Sequence, residues 1–123
     1  MRNNPTRAVR TLITGLLLLA GLASSAEALR RMGAGSIPPN GTRTHSLHIG
    51  MRDHWVTVEG QGRASDDLDC WIYDEYDDLI DSDTDYTDYC ILRTPGLGRH
   101  RLVIRNYGAY TNRYEVYERE SLD

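Results

Sequence analysis

The chain has 123 residues and a mass of 14.0 kDa, with eight Tyr, two Trp, two Cys and no Phe; all 14 basic residues are Arg. That length holds one domain at most, and a 40% hydrophobic fraction with a mean hydropathy of -0.53 excludes both a disordered chain and a multi-span membrane protein. The formal charge of -4 argues against nucleic acid as a partner, and it is local, since most acidic residues lie between Asp66 and Asp88.

Residues 1–28 read as a secretory signal peptide: Arg2, Arg7 and Arg10 precede an apolar run from Leu12 to Ala23, and small residues follow. The run is short for a bilayer span, so no membrane association is expected after cleavage. Cleavage after Ala28 fits Ala26-Glu27-Ala28, with cuts after Ala26 or Ser25 close alternatives. The expected location is secreted or periplasmic. Removing the segment leaves 11 Arg against 17 acidic residues, a charge of -6. A domain of about 95 residues buries only about 60–65% of its unfolded surface, so a covalent staple is of use to it.

From Leu29 to Arg43 the composition is rich in Gly, Pro, Ser, Asn and Arg, with a turn signal at Pro38-Pro39-Asn40-Gly41, which predicts a short disordered arm over residues 29–43. Order is expected over residues 44–119. There, short strand patterns alternate with turn punctuation: Thr44–Ile49, His54–Glu59, Leu68–Asp74, Asp78–Asp81, Tyr89–Arg93, Arg99–Asn106 and Arg113–Glu118. No segment after the signal carries a 3.6-residue period. The fold expected is all-β, a small antiparallel sandwich of about seven or eight strands. Alternation points Leu102 and Ile104 inward and Arg101, Val103 and Arg105 outward, and it places Leu68, Cys70 and Ile72 on one face, opposite Asp69, Trp71 and Tyr73.

Cys70 and Cys90 both fall in apolar strand patterns. They are either bridged or buried as free thiols; export and an even count favour a disulfide, which would contribute about 3 kcal/mol in the chain-entropy model.

The stretches Asp67-Leu68-Asp69-Cys70-Trp71-Ile72-Tyr73-Asp74, Asp78-Leu79-Ile80-Asp81-Ser82-Asp83, Pro95 to Gly108 and Asn112-Arg113-Tyr114-Glu115-Val116 together resemble the bacterial pre-peptidase C-terminal domain. The resemblance covers about Ser46 to Glu118. It implies a jelly-roll-like β-sandwich outside the cell, without catalytic activity, that binds a substrate or assists an exported enzyme. Related collagen-binding domains of clostridial collagenases bind calcium through a D-x-x-D pair at the entrance of this strand. The resemblance therefore implies calcium as a cofactor, with Asp66 and Asp69 as ligands and Asp67 beside them. Such an ion takes six to eight oxygens at about 2.3–2.6 Å. A second acidic run, Asp81 to Asp88, begins like a calcium loop but has Tyr86 at the position of the turn glycine and Leu92 at that of the bidentate Glu, so it is not an EF-hand. The competing reading of both segments is a solvated acidic surface that keeps the domain soluble and guards strand edges.

His45 and His48 are three apart, which on a strand means opposite faces and no shared metal. No Ser lies in a nucleophile-elbow context, and no catalytic residues are expected. Trp71, Tyr73, Tyr114 and Tyr117 are candidates for a binding surface that stacks on sugar rings or grips an extended peptide; alternatively, aromatics fill the core that Phe leaves vacant. The function expected is a non-catalytic binding or accessory module whose partner is an extracellular protein or polysaccharide. The alternative is a structural envelope protein with no specific ligand.

Overall fold

The structure is a computed structural model that describes residues 29–120, so the predicted signal peptide lies outside the described residues. Eight strands form in chain order: β1 (Leu29–Ile37), β2 (Thr42–Ile49), β3 (His54–Glu59), β4 (Leu68–Tyr73), β5 (Leu79–Asp83), β6 (Tyr89–Thr94), β7 (Gly98–Asn106) and β8 (Asn112–Arg119). Every pairing is antiparallel. One sheet has the order β1-β8-β3-β6 and the other β2-β7-β4-β5. Two four-stranded sheets with interleaved chain order are the jelly-roll architecture.

The predicted disordered arm is corrected at its first part, because residues 29–37 are β1, an edge strand paired with β8 from Leu29↔Arg119 to Ile37↔Asn112. Its Gly and Ser content hid it. With little side-chain bulk, β1 carries no period-2 apolar signal; it is held by backbone pairing and by the burial of Ile37. The small residues serve packing. A Cβ on Gly35 would come within 2.6 Å of the Tyr114 hydroxyl, so β1 can cover the buried Tyr114 only by being bare there.

Between the sheets lie the inward residues of each strand, among them Leu47 and Ile49 of β2, Val56 and Val58 of β3, Leu68 and Ile72 of β4, Leu102 and Ile104 of β7 and Val116 of β8. Among the described residues the core is thus built mainly from Ile, Leu and Val, and Tyr114 is its one aromatic. Cys70 on β4 and Cys90 on β6 form the disulfide, with Cα atoms 6.2 Å apart, and so link the two sheets. Asn106 closes the turns at one end of the sandwich: its side-chain amide donates to the Ile37 and Tyr110 carbonyls, and its Oδ1 accepts from the Gly108 N–H.

Candidate binding face and the acidic block

Strand alternation determines what the outer face of the β2-β7-β4-β5 sheet presents. Register sets Thr44 against Val103 and Val103 against Trp71, forming one row across three strands. The next row sets Ser46 against Arg101 and Arg101 against Tyr73. The Arg101 guanidinium lies 4.3 Å from the Tyr73 ring centroid and bonds the Asp77 carboxylate at 2.8 Å. A third row sets Thr42 against Arg105 and Arg105 against Asp69. The face is therefore a shallow platform of half-buried Trp71 and Tyr73 flanked by hydroxyls and guanidiniums, a composition suited to ring stacking with polar contacts at its margin. At the β4–β5 end a concavity of about 250 Å³ opens beside Thr44 and Ser46.

The four predicted surface aromatics do not share this platform. Trp71 and Tyr73 lie on it, Tyr117 projects from the outer face of the other sheet, and Tyr114 is 3% exposed in the core. The reason is parity: Tyr114 and Tyr117 are three residues apart on β8 and so face opposite ways. Tyr117 donates to the Glu115 carboxylate at 2.8 Å in a ladder of charges that also joins Arg119 to Glu59.

Most of the acidic block is engaged by the backbone. The Asp81 and Asp83 carboxylates, on edge strand β5, accept the outward N–H groups of Arg93 and Ile91 on β6 at 2.7 and 2.8 Å, closing one side of the sandwich with side chains. Asp74 accepts from the N–H groups of Tyr76 and Asp78 in the β4–β5 turn. Asp88 accepts from the Gly62 N–H and from the Asn112 side-chain amide, each at 2.5 Å. A Cβ at Gly60 would overlap that carboxylate, so any larger residue there would push Asp88 off these partners.

Parity also separates the predicted calcium ligands. Asp69 lies on the outer face of β4 and Asp67, which directly precedes the strand, has the same parity, whereas Asp66 is buried and turned to Arg63, which it bonds at 2.9 Å. One oxygen of each of these three carboxylates, together with Arg105 Nε, is buried without a hydrogen-bond partner among the described residues. Burial raises the Asp67 carboxyl above its usual range, assisted by Asp85 and Asp88. Burial likewise raises that of Asp69, assisted by Asp67, Asp83 and Asp85 and opposed by Arg105. Among the described residues no three His, Cys, Asp or Glu side chains stand together in a metal-holding arrangement.

Two buried polar constellations lay outside the sequence reading. Glu118 of β8 is 0% exposed. It accepts the Arg30 guanidinium at 2.6 Å and the Gly50 and Met51 N–H groups at 3.1 and 2.9 Å. Only its inward parity, in register with Val116, marks it in the sequence. His45 Nε2 meets the Tyr114 hydroxyl at 2.5 Å, the rings edge to face, and burial lowers the His45 pKa and raises that of Tyr114.

No family model and no curated protein matches the chain. Among solved structures it is similar to the periplasmic inhibitor of g-type lysozyme from Aeromonas hydrophila, at 12% identity over 76% of this chain and 88% of that one, with a TM-score of 0.49. A carbohydrate-binding module, TmCBM61, in complex with β-1,4-galactotriose matches at 9% identity over 72% of this chain and 69% of that one, with a TM-score of 0.41. The carbohydrate-binding module CBM36 in complex with calcium and xylotriose matches at 12% identity over 75% of this chain and 93% of that one, with a TM-score of 0.39. At such identities and scores these likenesses carry no functional residue across. The fold is established by this chain's own strand order, and the pre-peptidase resemblance rests on the residues quoted for it.

Proposed function

We propose that the protein is an exported, non-catalytic binding module, resembling pre-peptidase C-terminal domains, whose ligand is an extracellular polysaccharide lying across the outer face of the β2-β7-β4-β5 sheet. The observation that carries this reading is the Thr44–Val103–Trp71 row with Tyr73 and Arg101 beside it. A half-buried indole in such a row presents a rigid apolar surface to a sugar ring, and the adjoining hydroxyls and guanidiniums supply hydrogen bonds to its substituents. The bridged Cys70–Cys90 pair supports an oxidising compartment outside the cytoplasm. Retardation in native gels cast with soluble polysaccharides tests the reading. Trp71→Ala is expected to weaken retention about tenfold or more, since it removes both the apolar area the ring would cover and its directional stacking. Equal retention of the variant and the parent would remove the face.

Calcium enters this reading as an assisting ion at Asp67 and Asp69, with its remaining shell made of water and backbone carbonyls. Support comes from the orphaned carboxylate oxygens and from the burial, assisted by neighbouring carboxylates, that raises both carboxyl groups. Millimolar calcium is expected to raise the melting temperature of the parent and not of Asp67→Asn/Asp69→Asn; equal shifts, or none in either, would remove the ion. The structural-protein alternative draws on Asp81, Asp83 and Asp88, whose carboxylates bond the backbone or a buried amide. It gains if the polysaccharide gels show no retention at all.

A further inference from the structure

The groove at the β4–β5 end of the platform has a feature that sugar stacking does not use. Two concavities, of about 250 and 230 Å³, adjoin there. The first opens toward the hydroxyls of Thr44 and Ser46, and the second runs beneath Tyr76 and Leu97; Glu75 and Arg99 line both. Most neighbouring polar groups are engaged. Arg101 is paired with Asp77, Asp74 accepts two turn N–H groups, and His100 Nδ1 is 2.9 Å from the Gly98 carbonyl. Glu75 and Arg99 are exposed, and among the described residues neither has an ion-pair partner, although they share a wall.

The hairpin that carries Glu75 is held in shape. Asp74 and Asp78 pair through the Asp74 N–H at 2.9 Å, the Asp77 N–H returns to the Asp74 carbonyl at 3.1 Å, and Asp77 takes the left-handed conformation at φ 68°. A carboxylate and a guanidinium that line one wall without pairing are complementary to a group that carries an ammonium and a carboxylate together, each charge finding its opposite. The exposed Tyr76 and Leu97, 77% and 45% accessible, supply apolar contact for the aliphatic part of such a group. Thr44 belongs both to this groove and to the Trp71 row, so one ligand can occupy the two.

We infer that the groove takes the zwitterionic end of a peptidoglycan stem peptide, the sugar strand lying on the Trp71 platform; this rests on the polysaccharide reading above. Peptidoglycan fits because it joins a sugar chain to short peptides bearing free amino and carboxyl groups. The test is cosedimentation of the full exported chain with purified peptidoglycan sacculi, using the parent, Glu75→Gln, Arg99→Gln and Trp71→Ala, and sacculi with acetylated amines. Glu75→Gln and Arg99→Gln are each expected to weaken binding on the order of tenfold, the loss of one charge-assisted hydrogen bond. Acetylation is expected to reproduce the Glu75→Gln loss in the parent and add nothing in that variant. Both substitutions are at exposed side chains, and unchanged melting temperatures would show that folding is intact. Parent-like binding by Glu75→Gln and Arg99→Gln, indifference to acetylation, or no cosedimentation would overturn the inference. If Trp71→Ala still abolishes retention in neutral polysaccharide gels, the platform reading survives that failure; if it does not, both readings fall.

Discussion

Glu118 shows how much one side chain can organise. Its carboxylate is buried beneath β1 and joins three separate segments: the start of β1 through Arg30, the β2–β3 turn through Gly50 and Met51, and its own strand β8. Its donors, Arg30, Gly50 and Met51, are exposed or half-buried, so on losing the acceptor they regain water, and the cost is the net worth of the bonds that join the three segments. Glu118→Leu is therefore expected to lose about 2 kcal/mol in urea unfolding. Glu118→Gln is expected to fall between that variant and the parent, because its amide oxygen still accepts. A Leu variant as stable as the parent would show that the apolar isostere compensates fully. Half-buried His45 and buried Tyr114 pack under the same edge strand but depend on a different device, the absence of side chains at Gly33 and Gly35.

Among the elements, the contrast is between the two sides of the sandwich. On one side, β5 and β6 are edge strands of different sheets, and a second ladder cannot form between them. The Asp81 and Asp83 carboxylates stand in for it, accepting the β6 N–H groups that would otherwise offer a template to another chain. The expectation that acidic residues guard a strand edge thus acquires named bonds. Asp81→Ala/Asp83→Ala is expected to lose about 2 kcal/mol, about 1 for each hydrogen bond. It should also increase self-association, read by light scattering against concentration; a double variant that scatters like the parent would show that the edge needs no guard. On the other side β1 is held by β8 and by Arg30, which reaches from β1 to the His48 carbonyl of β2. The turn signal at Pro38 to Gly41 marks its end, but no apolar alternation announces the strand itself, and its partner lies some 80 residues away in the chain.

For the molecule as a whole, the disulfide ties β4 of one sheet to β6 of the other across a sequence separation of 20. Cys70→Ser/Cys90→Ser is expected to cost about 3 kcal/mol, a large part of a small domain's stability, and to lower the midpoint of urea unfolding accordingly. An unchanged midpoint would mean that the core alone suffices. Period-2 alternation in the sequence by itself determined the all-β class, the approximate position of seven strands and the inward set Leu68, Cys70, Ile72, Leu102 and Ile104. It does so because side-chain direction within a strand depends only on parity. The order β1-β8-β3-β6 and β2-β7-β4-β5, the grouping of Trp71 with Val103 and Thr44, and the meeting of Glu75 with Arg99 in one groove were decided only by the tertiary structure. Each depends on which distant strands become neighbours, and long-range pairing leaves no local period in the chain that forms it.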